Sequence, residues 1–215
     1  MGRMMKKMIV PAVIAKDQEE LNAILQKVSG NVDLVQLDVM DGKFVPNHSL
    51  DFDFKLDKRH KYEAHLMVES PDLWIETYGK RIDTLIAHFE ATLNPERTVR
   101  IIKNMGKKAA LALNPETGIE QIMDYLDDLD QILIMTVHPG FYGSPFLPKV
   151  MDKIARLRQL KPELNIEVDG GIKPETIAMT NQAGANMFVS GSYLVKADNM
   201  GERVNLLLDI VTKDG

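Results

Sequence analysis

Residues 35–42 read VQLDVMDG, and residues 166–171 read IEVDGG. Each is a short apolar run that carries an aspartate and ends in glycine. Side chains alternate between the two faces of an extended strand. Val35, Leu37 and Val39 therefore share one face, and Gln36, Asp38 and Met40 the other. Ile166 and Val168 likewise oppose Glu167 and Asp169. Alternation alone fits a half-solvated sheet. The chain around these two runs favours a closed one, in which both aspartates face an interior where charge is costly unless it is used.

Strand-like runs recur near 8–14, 33–39, 62–68, 83–89, 108–113, 131–137, 165–169 and 186–190. Helical patterns lie between most of them, at 17–28, 70–79, 95–106, 119–129, 146–160 and 174–184. Pro174 suits the first turn of its helix, and Gly184 suits the position after the last. Strands that alternate with crossovers imply a parallel sheet. Eight such units in 215 residues predict one compact α/β domain over residues 1–215, a (β/α)8 TIM barrel. An open doubly wound sheet is the alternative. It wants a glycine-rich loop after its first strand, where this chain has Ala15-Lys16-Asp17. Residues 42–60 carry Pro46, Asn47 and many charges, and predict a long loop with little helix.

The net charge is −5, with 27% charged residues and no basic stripe, which argues against nucleic acid as a partner. The chain has no cysteine, which excludes disulfides, thiolate metal sites and a cysteine nucleophile. No apolar run approaches the ~20 residues of a membrane span. The basic and apolar start is followed by Lys16-Asp17 without a small-residue cleavage site, so a cytoplasmic enzyme with no membrane partner is expected.

In a barrel of this kind the active site lies at the C-terminal ends of the strands. Asp38, His65 and Asp169 would all project into that mouth, with Met67 on the parity of His65. The turns Gly170-Gly171 and Gly191-Ser192 follow the last two strands and suit a phosphate seat. The segment HPGFYGS at 138–144 follows the sixth strand and suits a lid over the ligand. Two acids, a histidine and a phosphate seat suggest proton traffic on a phosphosugar. One carboxylate removes a proton beside a carbonyl, and the other returns one from the opposite face. A divalent metal held by Asp38, His65 and Asp169 would stabilise the intervening enediolate as a Lewis acid. His88 reads as a buried structural histidine, and His48 and His60 as loop surface.

At these residues the chain resembles the ribulose-phosphate 3-epimerase family. The likeness runs through VQLDVMDGKFVPN (35–47), EAHLMVESP (63–71), AHFEA (87–91), ALALNPET (110–117), MTVHPGFYGSPFLPKV (135–150), IEVDGGIKPET (166–176) and the stretch 183–192. The resemblance implies a (β/α)8 barrel with Asp38 and Asp169 as acid–base residues and metal ligands, and His65 as a further ligand. It implies a sulfur-rich cap of Met40, Met67 and Met135. Gly140, Phe141, Tyr142, Gly143 and Ser144 would contact substrate from the lid, and Gly143, Gly170, Gly171, Gly191 and Ser192 would hold phosphate. Zinc, iron, manganese or cobalt would be the metal, with no organic cofactor and a homo-oligomer of two or more chains.

Four departures matter. Gln36 stands where the family usually has a histidine as fourth metal ligand. Ala12 replaces a serine that contacts substrate, Ile14 replaces a polar or small residue, and Tyr142 makes the lid bulkier. The carbonyl oxygen of Gln36 suits hard cations better than zinc, so a labile, partly occupied or absent divalent site is expected. The expected activity is epimerisation at C3 of a ketose phosphate, ribulose/xylulose 5-phosphate by default and a six-carbon ketose phosphate second. A related isomerase or lyase is one alternative. The Asp-x-Lys-x-x-Asp run of the group's decarboxylases is absent, because Asp38 is followed by Val39, Met40, Asp41, Gly42 and Lys43. A non-catalytic phosphosugar-binding protein is the other.

Overall fold

The computed structural model describes residues 5–140 and 143–213. The strands are β1 (Met8–Val13), β2 (Leu34–Asp41), a two-residue β3 (His48–Ser49), β4 (Lys61–Met67), β5 (Thr84–His88), β6 (Lys108–Leu113), β7 (Gln131–Met135), β8 (Asn165–Asp169) and β9 (Met187–Ser190). Their order is β1-β9-β8-β7-β6-β5-β4-β2-β3, and β1 also pairs with β2. All of these pairings are parallel except that of β3 with β2. The β1–β2 pairing closes the sheet, so the eight parallel strands form a (β/α)8 barrel with β3 as an antiparallel flap on the end of β2.

The helices are α1 (Gln18–Val28), α2 (Pro71–Tyr78), α3 (Pro95–Asn104), α4 (Met151–Leu160), α5 (Pro174–Ala183), α6 (Ser192–Val195) and α7 (Met200–Lys213). Local chemistry sets several boundaries. Asp17 caps α1 by accepting from the backbone N–H of Glu20, and Asn94 caps α3 through that of Arg97. Pro95 and Pro174 open their helices, and Gly184 ends α5 in the left-handed region at φ 114°. Leu21, Leu25 and Val28 of α1, spaced for one helix face, are buried. They join Val35, Leu37, Val39, Ile166 and Val168 in the main core between sheet and helices. The aliphatic parity of β2 and β8 thus points outward to the helices, as read from the sequence, and the polar parity points into the barrel.

Three expectations need correction. The segment 119–129 forms a 3-10 helix over Ile119–Tyr125, not an α-helix. Its start has no side-chain cap, and Asp124, Asp127 and Asp128 crowd its C-terminal end, where negative charge opposes the helix dipole. The helix α7 was not among the patterns read, although its buried Val204, Leu207 and Val211 share one face. His60 is not loop surface. Its side chain is 1% exposed, 3.3 Å from Asp57, and edge-on to Tyr62.

The barrel interior holds a polar layer low in the sheet. Glu63 of β4 and Glu167 of β8 are fully buried. Gln131 of β7 donates through Nε2 to Glu63 Oε2 at 3.2 Å and to Glu167 Oε2 at 2.6 Å. Burial pushes both carboxyl pKa values upward. Glu63 and Glu167 lie two residues before His65 and Asp169 on the same strands, directly beneath the barrel mouth.

The loop 42–60 is long and largely irregular, as expected, and a buried aromatic anchors it. Phe54 has no exposed surface and stacks on Trp74 and Tyr78 of α2, with ring centroids 6.3 and 5.9 Å away. This fixes the loop that carries Val45 and Asn47 over the mouth. Phe54→Ala should therefore destabilise the protein by about 3–5 kcal/mol, read as a lower midpoint in urea unfolding.

Candidate active site

The three residues singled out in the sequence converge. Asp38 and His65 lie near the C-terminal ends of the inward rows of β2 and β4, one inward position before Met40 and Met67, and Asp169 is the last residue of β8. His65 Nδ1 lies 3.4 Å from Asp38 Oδ1 and 3.3 Å from Asp169 Oδ2. Gln36, two residues before Asp38 and on the same parity, joins them. Its Nε2 donates to Asp38 Oδ1 and to Asp169 Oδ2, both at 2.8 Å, and lies 3.5 Å from His65 Nδ1.

Behind His65 stands a second histidine. His65 Nε2 is 2.8 Å from Nε2 of the fully buried His88. His88 Nδ1 in turn faces Glu90 Oε2 at 3.3 Å. Burial, and then the neighbouring His65, hold the His88 pKa down to about 4. His88 is therefore neutral, accepting from His65 and donating to Glu90. Burial alone would also lower the pKa of His65. The hydrogen bonds and charges of Asp169 and Asp38 outweigh it and lift His65 to about 9, so its imidazole is cationic at neutral pH. Burial is the main cause that raises the Asp38 pKa, and the charge of Asp169 adds to it. His88 is buried and structural, as expected, and what it holds is the ring of His65.

The other aspartate of the MDG motif is structural. Asp41 Oδ1 accepts from the backbone N–H groups of Lys43 and Phe44, and Oδ2 from that of Glu69. It shapes the turn out of β2 and takes no place in the cluster.

Above the cluster opens a cavity of about 800 Å³. Asp38, His65 and Asp169 form its floor, and Met40, Met67 and Met135, each nearly buried, line its walls. Gly140, Gly143 and Ser144 line the side of the 138–144 segment, while Phe141 and Tyr142 lie outside the described residues. Gly170, Gly171, Gly191 and Ser192 line the far side. Two hydroxyls hold the glycine turns in place. Thr136 Oγ1 donates to the carbonyls of Asp169 and Gly170 at 2.9 and 2.5 Å, and Ser190 Oγ to that of Ile172 at 2.8 Å. Ala12 and Ile14 also line the cavity, so the departures read in the first strand fall at the site.

The sequence reading missed several residues of this wall, among them Lys173, Asn47 and Phe146. Lys173 brings an exposed cation beside Gly171. Its position just after the double glycine was the available signal. Asn47 reaches across to donate to the carbonyl of Gly140, and Phe146 packs beside Gly171. Nothing in their local sequence marked the last two, because their roles come from the meeting of two loops.

Asp38, His65 and Asp169 form a group that could hold a metal ion, with ligand atoms all within 4.8 Å of one another. The fourth neighbour decides the fit. Gln36 presents an N–H donor, which cannot ligate a cation, and it already occupies the carboxylate oxygens a cation would take. Its carbonyl Oε1 is buried without a hydrogen-bond partner. As these side chains stand, the set does not fit a four-coordinate divalent metal.

A closed parallel barrel with paired acids and a glycine-lined rim at the C-terminal ends of its strands defines a (β/α)8 enzyme that works by proton transfer. Comparison with known proteins makes the assignment specific. A model of the ribulose-phosphate 3 epimerase family matches residues 7–195. The ribulose-phosphate 3-epimerase of Bacillus subtilis is 38% identical over 201 residues, covering 86% of this chain and 90% of that one. That of Eremothecium gossypii is 35% identical over 225 residues, covering 97% and 94%. The chain belongs to the ribulose-phosphate 3-epimerase family and is an isomerase. Among solved structures, 3-keto-L-gulonate-6-phosphate decarboxylase from Vibrio cholerae overlays with a TM-score of 0.70 at 12% identity, covering 98% of this chain and 99% of that one. 3-Hexulose-6-phosphate synthase from Salmonella typhimurium overlays at 0.69 and 12%, covering 97% and 100%. These overlays show the shared barrel alone. Among the described residues, no helix is long and apolar enough to cross a membrane.

Gly170 adjoins Asp169 at φ 118°, and a Cβ there would lie 2.4 Å from Val137 Cγ2. Gly170→Ala should lower stability by about 1–3 kcal/mol and reduce activity with it. Urea unfolding and steady-state turnover of the variant check both.

Proposed function

We propose that this chain inverts C3 of a ketose phosphate, with ribulose 5-phosphate and xylulose 5-phosphate as the pair. The observation that carries the reading is the contact of Asp38 and Asp169 through shared donors on the floor of one cavity. In this reading one acid, as carboxylate, takes the proton from C3. The C–H electron pair moves into the C2–C3 bond, and negative charge collects on the C2 oxygen. The other acid, protonated, then delivers its proton to C3 from the opposite face. The raised pKa of Asp38 supports such a division of labour, because one of the two must hold a proton while the other does not. The cationic His65, in contact with both acids, supplies positive charge beside the enediolate.

The phosphate sits, in this proposal, against Gly143, Gly170, Gly171, Gly191 and Ser192, with Lys173 at its edge. Bare backbone along that wall allows close approach of an anion. Met40, Met67 and Met135 place polarisable sulfur beside the reacting carbons. Gly140 and Ser144 would line the side of the cavity that faces the sugar. The proposal places the chain as a homo-oligomer by analogy with its family.

A six-carbon ketose phosphate is the second reading, favoured by the apolar Ala12 and Ile14 where the family contacts sugar hydroxyls.

A phosphosugar panel in deuterated buffer, followed by NMR, tests the proposal. Deuterium should enter at C3 alone as the substrate epimerises. Asp38→Asn and Asp169→Asn should each lower turnover by about 10²–10⁴. Wild-type turnover in either variant would rule out the two-acid mechanism, and binding without C3 exchange would mark a phosphosugar-binding protein instead.

A further inference from the structure

Building on the two-acid reading of the site, we infer that Gln36 is a positioning residue whose side-chain amide ties Asp38 to Asp169 in place of a divalent metal. The argument is geometric. Nε2 of Gln36 lies 2.8 Å from Asp38 Oδ1, 2.8 Å from Asp169 Oδ2 and 3.5 Å from His65 Nδ1. These contact the residues whose atoms lie within 4.8 Å of one another as a candidate cation group. The two N–H bonds of the amide match the two carboxylates, one each.

The orientation of the amide is set by the acids. Its nitrogen faces them and its Oε1 is buried with no partner. Turning the oxygen towards them would crowd a third acceptor against two carboxylates and free both N–H groups. Ala12, the partner of Gln36 in the β1–β2 register, offers no ligand atom in compensation. Gln36 is fully buried and lies beneath the cavity wall, so it touches no substrate and acts only through the acids it holds.

The same device appears a layer lower in the barrel. Gln131 donates through one Nε2 to Glu63 and Glu167, and no cation is needed to hold that pair. Two stacked diacid sites in this chain therefore share one solution, an amide nitrogen between two carboxyl groups.

Metal content and C3 exchange together test this. The protein is purified without chelator, and bound divalent ions are measured by elemental analysis for wild type, Gln36→His and Gln36→Leu. Exchange with ribulose 5-phosphate in deuterated buffer is followed before and after dialysis against EDTA. Wild type should hold far less than one ion per chain, and its exchange should survive EDTA. Gln36→His offers an imidazole as a fourth ligand and should take up about one zinc or manganese ion per chain, measured by titration calorimetry irrespective of activity. Gln36→Leu should fold with a lowered melting temperature, because two buried acids lose their shared donor, and should keep its KM and lose about 10–100-fold in kcat. A wild-type protein that holds one ion per chain and loses exchange in EDTA would overturn the inference, as would a folded Gln36→Leu with wild-type kcat. If wild type exchanges no C3 proton with any ketose phosphate, the epimerase reading fails. The metal contents of wild type and Gln36→His still decide the role of Gln36.

Discussion

Two carboxylates can share the floor of a closed barrel only when donors stand between them. Gln36 and His65 are those donors. Each charge-assisted hydrogen bond from the amide is worth about 1.5–3 kcal/mol, and the unpartnered Oε1 costs about 1–3 kcal/mol. Two bonds against one orphan favours the observed orientation. The rest of the site follows from that balance. His65 is turned towards the acids because its other nitrogen rests on His88, and His88 is turned by Glu90. Glu90 is held by hydrogen bonds from Thr117 and from the backbone of Asn114. A chain of polar groups thus runs from the barrel mouth to the loop after β6, and each member fixes the next.

The barrel makes this arrangement possible because its interior is narrow. Inward side chains from non-adjacent strands must meet, and β2 and β8 are separated by β9 and β1 in the sheet. Asp38 and Asp169 meet across that gap, and Glu63 of β4 and Glu167 of β8 are joined across the barrel below through Gln131. An apolar interior would have been easier to fill, since burial of two unpaired charges is strongly unfavourable. In the lower pair the amide of Gln131 donates to both carboxyls, and burial raises both pKa values. The upper pair has cationic His65 in contact with both acids as well as the amide of Gln36.

Much of this was legible in residues 35–42 and 166–171. A period of two fixes which side chains face inward, and the order of strands and crossovers fixes closure. Asp38, His65 and Asp169 could therefore be placed together before any coordinates. The direction of Gln36 could not. An amide reads the same whether it offers oxygen or nitrogen, and only the two acids across the barrel choose between them. His60 was misread because its burial depends on Asp57 and Tyr62, and loop sequence alone does not show a partner. The segment 119–129 was misread because its apolar spacing resembles an α-helix, while the missing cap and terminal acids that tighten it into a 3-10 helix carry little weight in a periodicity. Lys173 and Asn47 were passed over because both act where separate loops converge.

The last element is closure over the cavity. In the proposed reaction the enediolate is a reactive intermediate that bulk water can protonate without control of the face. Two loops meet above the site to limit this. Asn47 donates to the Gly140 carbonyl, and the Val45 side chain leaves a Cβ at Gly140 only 2.6 Å of room. Gly140 can sit so close because it has no side chain and adopts φ 94°. The loop that bears Val45 and Asn47 is in turn held at its far end by Phe54 on α2. The covering of the active site is thus tied to the core of the barrel through one aromatic stack, so that the packing which stabilises the fold also sets how well the reaction is shielded.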